Sequence, residues 1–161
     1  MSAIPYFSTP EQQKQFAAEV RSWFGTPFIP QAGVKGAGVD CVRAGFASYA
    51  ASGFAIRQPL PHYSMEGGKH QTESQLIRWI EATGQFGYIG DRSAISQVQC
   101  GDTLCFRVYR SLSAHHTGYA IGGTEFGHSL YGRDFRLGDL RDKTFLRWLV
   151  AIYRPIMEVA A

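Results

Sequence analysis

The sequence predicts an α+β fold, with helices in the first half of the chain and antiparallel strands in the second. Two textures predict it. Before Gly84, apolar residues recur at helical spacing behind polar capping residues. After Gly84 the chain breaks into short β-branched and aromatic runs separated by turn residues. Helices followed by strands is the order of an α+β domain. With 161 residues, 45% of them hydrophobic and 14% aromatic, the chain is long enough to bury a core without disulfide staples, as one domain spanning 1–161. No internal repeat, linker or low-complexity stretch interrupts it.

The first element is "STPEQQKQFAAEVRSWFG". Thr9 suits a helix cap, Pro10 the first helical position, and Gln12 completes a capping-box spacing. Phe16, Val20, Trp23 and Phe24 repeat on one face, and Gly25 ends the helix. The stretch "TPFIPQAGVKGAGV" that follows is a loop punctuated by proline and glycine. A second helix is predicted from Cys41 to about Ser52, stopped by Gly53. The segment "FAIRQPLPHYSMEGGKHQ" is irregular, and "TESQLIRWIEATG" repeats the capping pattern with Leu76, Ile77 and Ile80 on one side. Strands are predicted in "TLCFRVYR", "HTGYAIGG", "EFGHSLYG" and "FLRWLVAIYRP".

Charge says little about function. Sixteen Lys and Arg stand against thirteen Asp and Glu, for a net charge of +3, and the basic residues are scattered rather than gathered into the dense stripe of a nucleic-acid binder. No apolar run approaches ~18 residues, so no transmembrane helix is expected. The N-terminus lacks the basic start and apolar run of a secretory signal, which predicts synthesis in the cytoplasm. Three cysteines, an odd number, argue against a disulfide framework.

Cys41 raises the functional question. It sits where a glycine-rich loop, "GVKGAGVD", meets a predicted helix. Asp40 is placed to cap that helix, which puts Cys41 in the first turn, where free amides and the positive end of the helix dipole favour a thiolate. The same amides could hold an oxyanion. A buried structural thiol is the commoner fate of a single cysteine, and the local sequence does not choose between the two. A thiol nucleophile needs a base and the base an orienter. His62 and His70 lie in the irregular segment and read as solvated loop residues. His115, His116 and His128 lie in the strand half. One glycine turn separates His116 from His128, so the two can face each other on adjacent strands. Alternation sends His115 and His116 to opposite faces, so one of them at most meets Cys41. A cysteine at a helix start facing a strand histidine is a papain-like arrangement.

The ordered set "GTPF", "GVDCV", "CGDTLCFRV", "HHTGYAIGG" and "FGHS" resembles the NlpC-type cell-wall cysteine peptidases, in particular their phage-tail versions. The likeness runs from about Gly25 to Ser129, and "RWLVAIYRP" is similar to the family's closing strand. The resemblance implies a papain-like fold, N-terminal helices carrying the nucleophile packed on a C-terminal antiparallel sheet. It also implies a thioester mechanism that cleaves peptidoglycan stem peptides between D-γ-glutamate and the diamino acid. Carried over by position, Cys41 would be the nucleophile, His116 the base and His128 the orienter, with Asp40, Phe28 and Arg43 beside the substrate. Delivery by a phage tail or prophage particle, with its proteins as partners, is part of the same implication. Three positions depart from the family pattern. Val42-Arg43 replaces a frequent Ser-Gly, Phe28 replaces a tyrosine, and Thr117 replaces an aliphatic residue.

Other readings are weaker. Cys100 and Cys105 lack the paired short spacing of a zinc site, and no metal or organic cofactor is implied. Their pairing in a disulfide is disfavoured in a cytoplasmic product, and Cys105 reads as core. The glycines carry no Gly-Lys-Ser/Thr phosphate loop. Trp23, Trp79 and Trp148 read as core rather than as stacking platforms. Arg133, Arg136, Arg141, Arg147 and Arg154 read as a solvated surface or as a contact for anionic wall polymer or a partner protein. The principal alternative to an enzyme is a tail-tip structural or binding module on the same fold. An acyltransferase or thioesterase would need a dedicated apolar acyl-binding segment, and none is apparent.

Overall fold

The computed structural model describes residues 2–64 and 70–160. Helix α1 is Pro10–Arg21, and Thr9 and Gln12 form a reciprocal capping box at its start. Its apolar stripe buries Phe16 and Val20 completely. A two-stranded ribbon, β2 (Gly33–Val34) with β3 (Gly38–Val39), shapes the glycine-rich loop. Helix α2 is Cys41–Ala51 with Asp40 as its N-cap. Helix α3 is Gln75–Ala82, capped by Ser74, whose hydroxyl accepts from the Ile77 amide. The Gly67-Gly68 pair that the sequence reading treats as a breaker lies outside the described residues.

The second half carries β4 (Phe86–Gly90), a 3-10 turn (Arg92–Gln97), β5 (Thr103–Phe106), β6 (His116–Gly122), β7 (Glu125–His128), β8 (Arg136–Asp139), α4 (Lys143–Trp148) and β9 (Leu149–Val159). An N-terminal strand β1 (Ser2–Pro5) joins this sheet, whose order is β1-β9-β5-β6-β7-β8 with β4 also on β9. The registers are antiparallel throughout. The architecture is therefore the predicted α+β arrangement, with helices packed on an antiparallel sheet.

Two expectations change in detail. "FLRWLVAIYRP" is not strand throughout: Asp142 caps a short helix by accepting from the Thr144 amide, and the strand starts only at Leu149. The sheet also recruits Ser2–Pro5, which is half-buried or exposed along its length and carries no alternation to read.

The sheet has two differently filled faces. On one, Phe7, Phe16, Val20, Trp23, Tyr49 and Tyr119 form a core beneath α1 and α2. On the other, Leu104, Phe106, Phe126, Leu140, Leu149 and Ile152 pack together. Alternation along β6 assigns Thr117, Tyr119 and Ile121 to the helix side and His116, Gly118 and Ala120 to the other. The glycines confirm the assignment. A Cβ on Gly118 would meet Phe126 and Phe106, and one on Gly45 of α2 would overlap the Tyr119 ring. Helix α2 can lie this close to the strand because residue 45 has no side chain.

Candidate active site

The start of α2 is fixed from three directions through Asp40. This carboxylate is fully buried. It accepts from the Arg43 amide at 2.8 Å, as a helix cap does, from the Gln31 amide at 2.6 Å, and from the Tyr63 hydroxyl at 2.5 Å. Cys41 therefore occupies the first helical position, with no surface exposed to solvent. Its carbonyl accepts from the Tyr119 hydroxyl at 2.6 Å, which ties the helix start to β6.

Thr117 and the Cys41 backbone weakly favour the thiolate. Tyr119 spends its single proton on the Cys41 carbonyl, so in its 2.8 Å contact with Thr117 the threonine is the donor. Burial, with the Asp40 charge adding to it, pushes the thiol up to about 11, against the weaker pull of Thr117 and the Cys41 backbone. At rest the group is a thiol.

His116 and His128 meet directly. Nε2 of His116 lies 3.1 Å from Nδ1 of His128, with both rings buried. They stand on the strands that the spacing predicts, where His128 pairs with Gly118. Phe126 and Phe145 pack against the His128 ring at centroid distances of 5.0 and 4.9 Å. Burial, then the neighbouring His128 and His115, holds His116 well below the ordinary imidazole range. Burial and the Arg136 charge hold His128 down to about 4. Both rings are neutral at pH 7, and one proton lies between Nε2 and Nδ1.

Ala120 donates to Asp102 at 2.9 Å on the β5 side. Alternation then turns the Thr117 amide toward the β7 side, where pairing has already ended at His128. Among the described residues no hydrogen bond joins the Cys41 thiol to an imidazole, and His116 stands on the face of β6 opposite the one that packs on α2. The bond to His128 uses only Nε2 of His116, and the His116 ring lines an open groove. His115 is occupied within its own loop, with Nδ1 3.1 Å from the Ser113 carbonyl and Nε2 3.4 Å from the Ser111 hydroxyl.

Of the residues expected beside the substrate, Asp40 is enclosed by the partners above. Phe28 is half-buried and stacks on Tyr131 at 5.3 Å. Arg43 interacts with the Tyr63 hydroxyl, and its Nε is buried without a partner. Tyr63, Thr117 and Tyr119 are site residues that the sequence reading does not single out as such. Alternation along β6 puts Thr117 and Tyr119 on the face opposite His116, toward α2, and nothing local points to Tyr63. Cys100 and Cys105 are free thiols, and Cys105 is fully buried.

No protein-family model matches the chain, and no curated protein matches it. Solved structures do. An NLP/P60 family protein similar to lipoprotein, from Staphylococcus aureus, matches at 17% identity and a TM-score of 0.66, covering 98% of this chain and 46% of that one. The fold is that of the NlpC/P60 proteins. An NlpC/P60 family protein of Bacillus cereus matches at 18% identity and TM-score 0.60, over 89% of this chain and 40% of the other. The NlpC/p60 domain of the peptidoglycan hydrolase SagA matches at 18% identity and TM-score 0.54, over 88% and 97%. The chain thus spans about half the length of the first of these structures and nearly all of the last. Among the described residues no helix is long and apolar enough to cross a membrane.

Proposed function

We propose that the protein is a cysteine peptidase that cleaves peptidoglycan stem peptides, with Cys41 as nucleophile, His116 as base and His128 as orienter. The observation that carries this reading is the 3.1 Å bond between His116 Nε2 and His128 Nδ1, in a chain that places a buried cysteine at the first position of a helix. A histidine bonded at one ring nitrogen presents the other in a fixed tautomer. With the proton of Nε2 donated to His128, Nδ1 carries the lone pair that a base needs.

The reaction then runs as follows. Nδ1 of His116 takes the Cys41 proton as the sulfur attacks the amide carbonyl, because a thiol held up at about 11 does not ionise beforehand. The Thr117 amide is the group left to favour negative charge on the sulfur, since the Thr117 hydroxyl proton goes to Tyr119. The first-turn amides of Cys41 and Val42 lie ahead of the helix's own hydrogen bonds and can hold the oxyanion. Protonated His116 donates to the leaving amine as the C–N bond breaks. Water, deprotonated by the same ring, then hydrolyses the thioester and restores the thiol.

Peptidoglycan as substrate is supported by the fold shared with the domain of a peptidoglycan hydrolase. The D-γ-glutamyl–diamino acid bond and delivery by a phage tail rest on the sequence resemblance alone. The test is mass spectrometry of muropeptides digested with the purified protein, beside Cys41→Ala and His116→Ala. Fragments ending at γ-glutamate, absent with both variants, are expected. A folded protein that yields none, in reducing buffer across a range of pH, would favour the binding-module reading instead.

A further inference from the structure

Beside His116 lies an open groove of about 950 Å3, at the upper end of the range for small-molecule sites. Its lining includes Arg110, from the loop between β5 and β6, and Arg147, from the last turn of α4, but no aspartate or glutamate. Both arginines are exposed. Five other arginines pair with carboxylates: Arg21 with Glu125, Arg78 with Glu73, Arg136 with Asp134, Arg141 with Asp139, and Arg154 with Asp102. Among the described residues neither groove arginine has such a partner.

The walls are built to present these cations. Tyr109, just before Arg110, sits in the left-handed region at φ 52° and stacks on Trp148 at 5.0 Å, next to Arg147. A tyrosine in that conformation costs on the order of 1 kcal/mol, and its ring is 71% exposed. On the other wall Tyr131, 78% exposed, rests on Phe28. Trp148, which reads as core in the sequence, packs on Phe145 but also lines the groove. Two arginines in the lining of one groove, with aromatic rings beside them and no carboxylate among the lining residues, have the chemistry of a receptor for a planar anion.

We infer that this groove is a carboxylate-binding subsite, in which Arg110 and Arg147 hold a free carboxylate of the substrate peptide beside the scissile bond. The inference rests on the peptidase reading for the identity of the peptide, though not for the presence of the anion site. A γ-linked glutamyl–diamino acid peptide offers two such groups: the α-carboxylate of the glutamate and the terminal carboxylate of the diamino acid's side chain. Amidating either one removes its charge and replaces an oxygen acceptor with a donor that faces donors.

The test uses calorimetric binding to the full chain carrying Cys41→Ala. The probe is γ-D-glutamyl-diaminopimelic acid with its main-chain diaminopimelate carboxyl blocked as the amide, in three forms: otherwise unmodified, amidated also at the glutamate α-carboxylate, and amidated also at the side-chain carboxylate. One amidation is expected to weaken binding about tenfold, and its position identifies the carboxylate held. Arg110→Gln and Arg147→Gln, added singly, should each weaken binding of the unmodified peptide and shrink that difference, whereas Arg92→Gln on the distant 3-10 turn should leave it intact. Equal binding of all three forms, no binding of any, or discrimination that survives both arginine substitutions would overturn the subsite. Turnover by the wild-type chain separates the two readings. Discriminating binding without turnover keeps the subsite and defeats the peptidase, and turnover indifferent to both amidations does the reverse.

Discussion

At one end of the candidate site the Cys41 sulfur is enclosed on every side; at the other, His116 opens onto a groove of about 950 Å3. The ends are built from different materials. The thiol end is a network of short hydrogen bonds: Asp40 to Gln31, Arg43 and Tyr63, and Tyr119 to the Cys41 carbonyl. The imidazole end is aromatic packing, with His128 wedged between Phe126 and Phe145. Hydrogen bonds fix direction and packing fixes position. A nucleophile needs a direction of attack, and a base needs a tautomer and a place to stand.

The largest effects should come from removing chemistry while both scaffolds stay intact. Cys41→Ala should abolish hydrolysis, and His116→Ala should lower kcat by roughly 10³-fold, the middle of the range for general-base catalysis. His128→Ala should cost less, because it removes an orienter and not the proton acceptor. Steady-state kinetics on a purified muropeptide checks all three, and equal losses for His116→Ala and His128→Ala would mean that the pair acts as one unit.

Protonation separates the two ends next. His128 has a folded-state value near 4 against an ordinary value of 6.5. The stability from its neutral form is present above pH 6.5 and lost as pH falls toward 4, at most about 3 kcal/mol. His116 shifts in the same direction. Cys41, raised from 9.0 to about 11, contributes stability below pH 9 that disappears as pH rises toward 11. The expected profile is a plateau between about pH 6.5 and 9 with a fall on each side, measured by urea denaturation. His128→Phe, filling the same aromatic slot, should flatten the acid limb while leaving the alkaline one.

Steric room comes third. Gly45→Ala drives a methyl group into Tyr119, the ring that anchors the Cys41 carbonyl. Overpacking of this kind costs ~1–3 kcal/mol, which for a chain of this size lowers Tm by a few degrees per kcal/mol. Thermal unfolding should show the loss, and kcat should fall by more than stability explains because the helix start moves with the ring.

How much of this could be read from the sequence depends on how far apart the interacting residues lie. The capping box of Thr9 with Gln12 and the Asp40 cap are local, and they read correctly. His116 and His128 are twelve positions apart but share one hairpin, so spacing puts them on neighbouring strands, where His128 pairs with Gly118 and meets His116 diagonally. Phe145–Trp148 misled because its residues suit a strand, while the Asp142 cap and packing on Phe106 and Phe126 favour a turn of helix. Ser2–Pro5 pairs with a strand at the far end of the chain, and nothing within those four residues announces it. The groove was equally hidden, since Arg110 and Arg147 come from separate elements, the β5–β6 loop and α4, and line one groove only in the folded chain.

Tyr63 offers the smallest expected effect and the sharpest question about the enclosed end. Its hydroxyl bonds Asp40, and its carbonyl accepts from Gln31 Nε2 at 3.0 Å. Nearby, Trp79 Nε1 donates to the Pro59 carbonyl and Gln75 to that of His62. These contacts fasten residues 59–63 against α3 and the loop ahead of α2, next to the buried sulfur. Tyr63→Phe removes one hydrogen bond to a carboxylate that keeps two others. A net loss of about 1 kcal/mol corresponds to roughly a fivefold rise in the open population. Iodoacetamide should then alkylate Cys41 a few times faster in Tyr63→Phe than in the wild type, with Tm nearly unchanged and Cys105 still unreactive. If the rates are equal, the sulfur is uncovered from the groove side, past Thr117 and His116, and Tyr63 serves only to hold the helix cap.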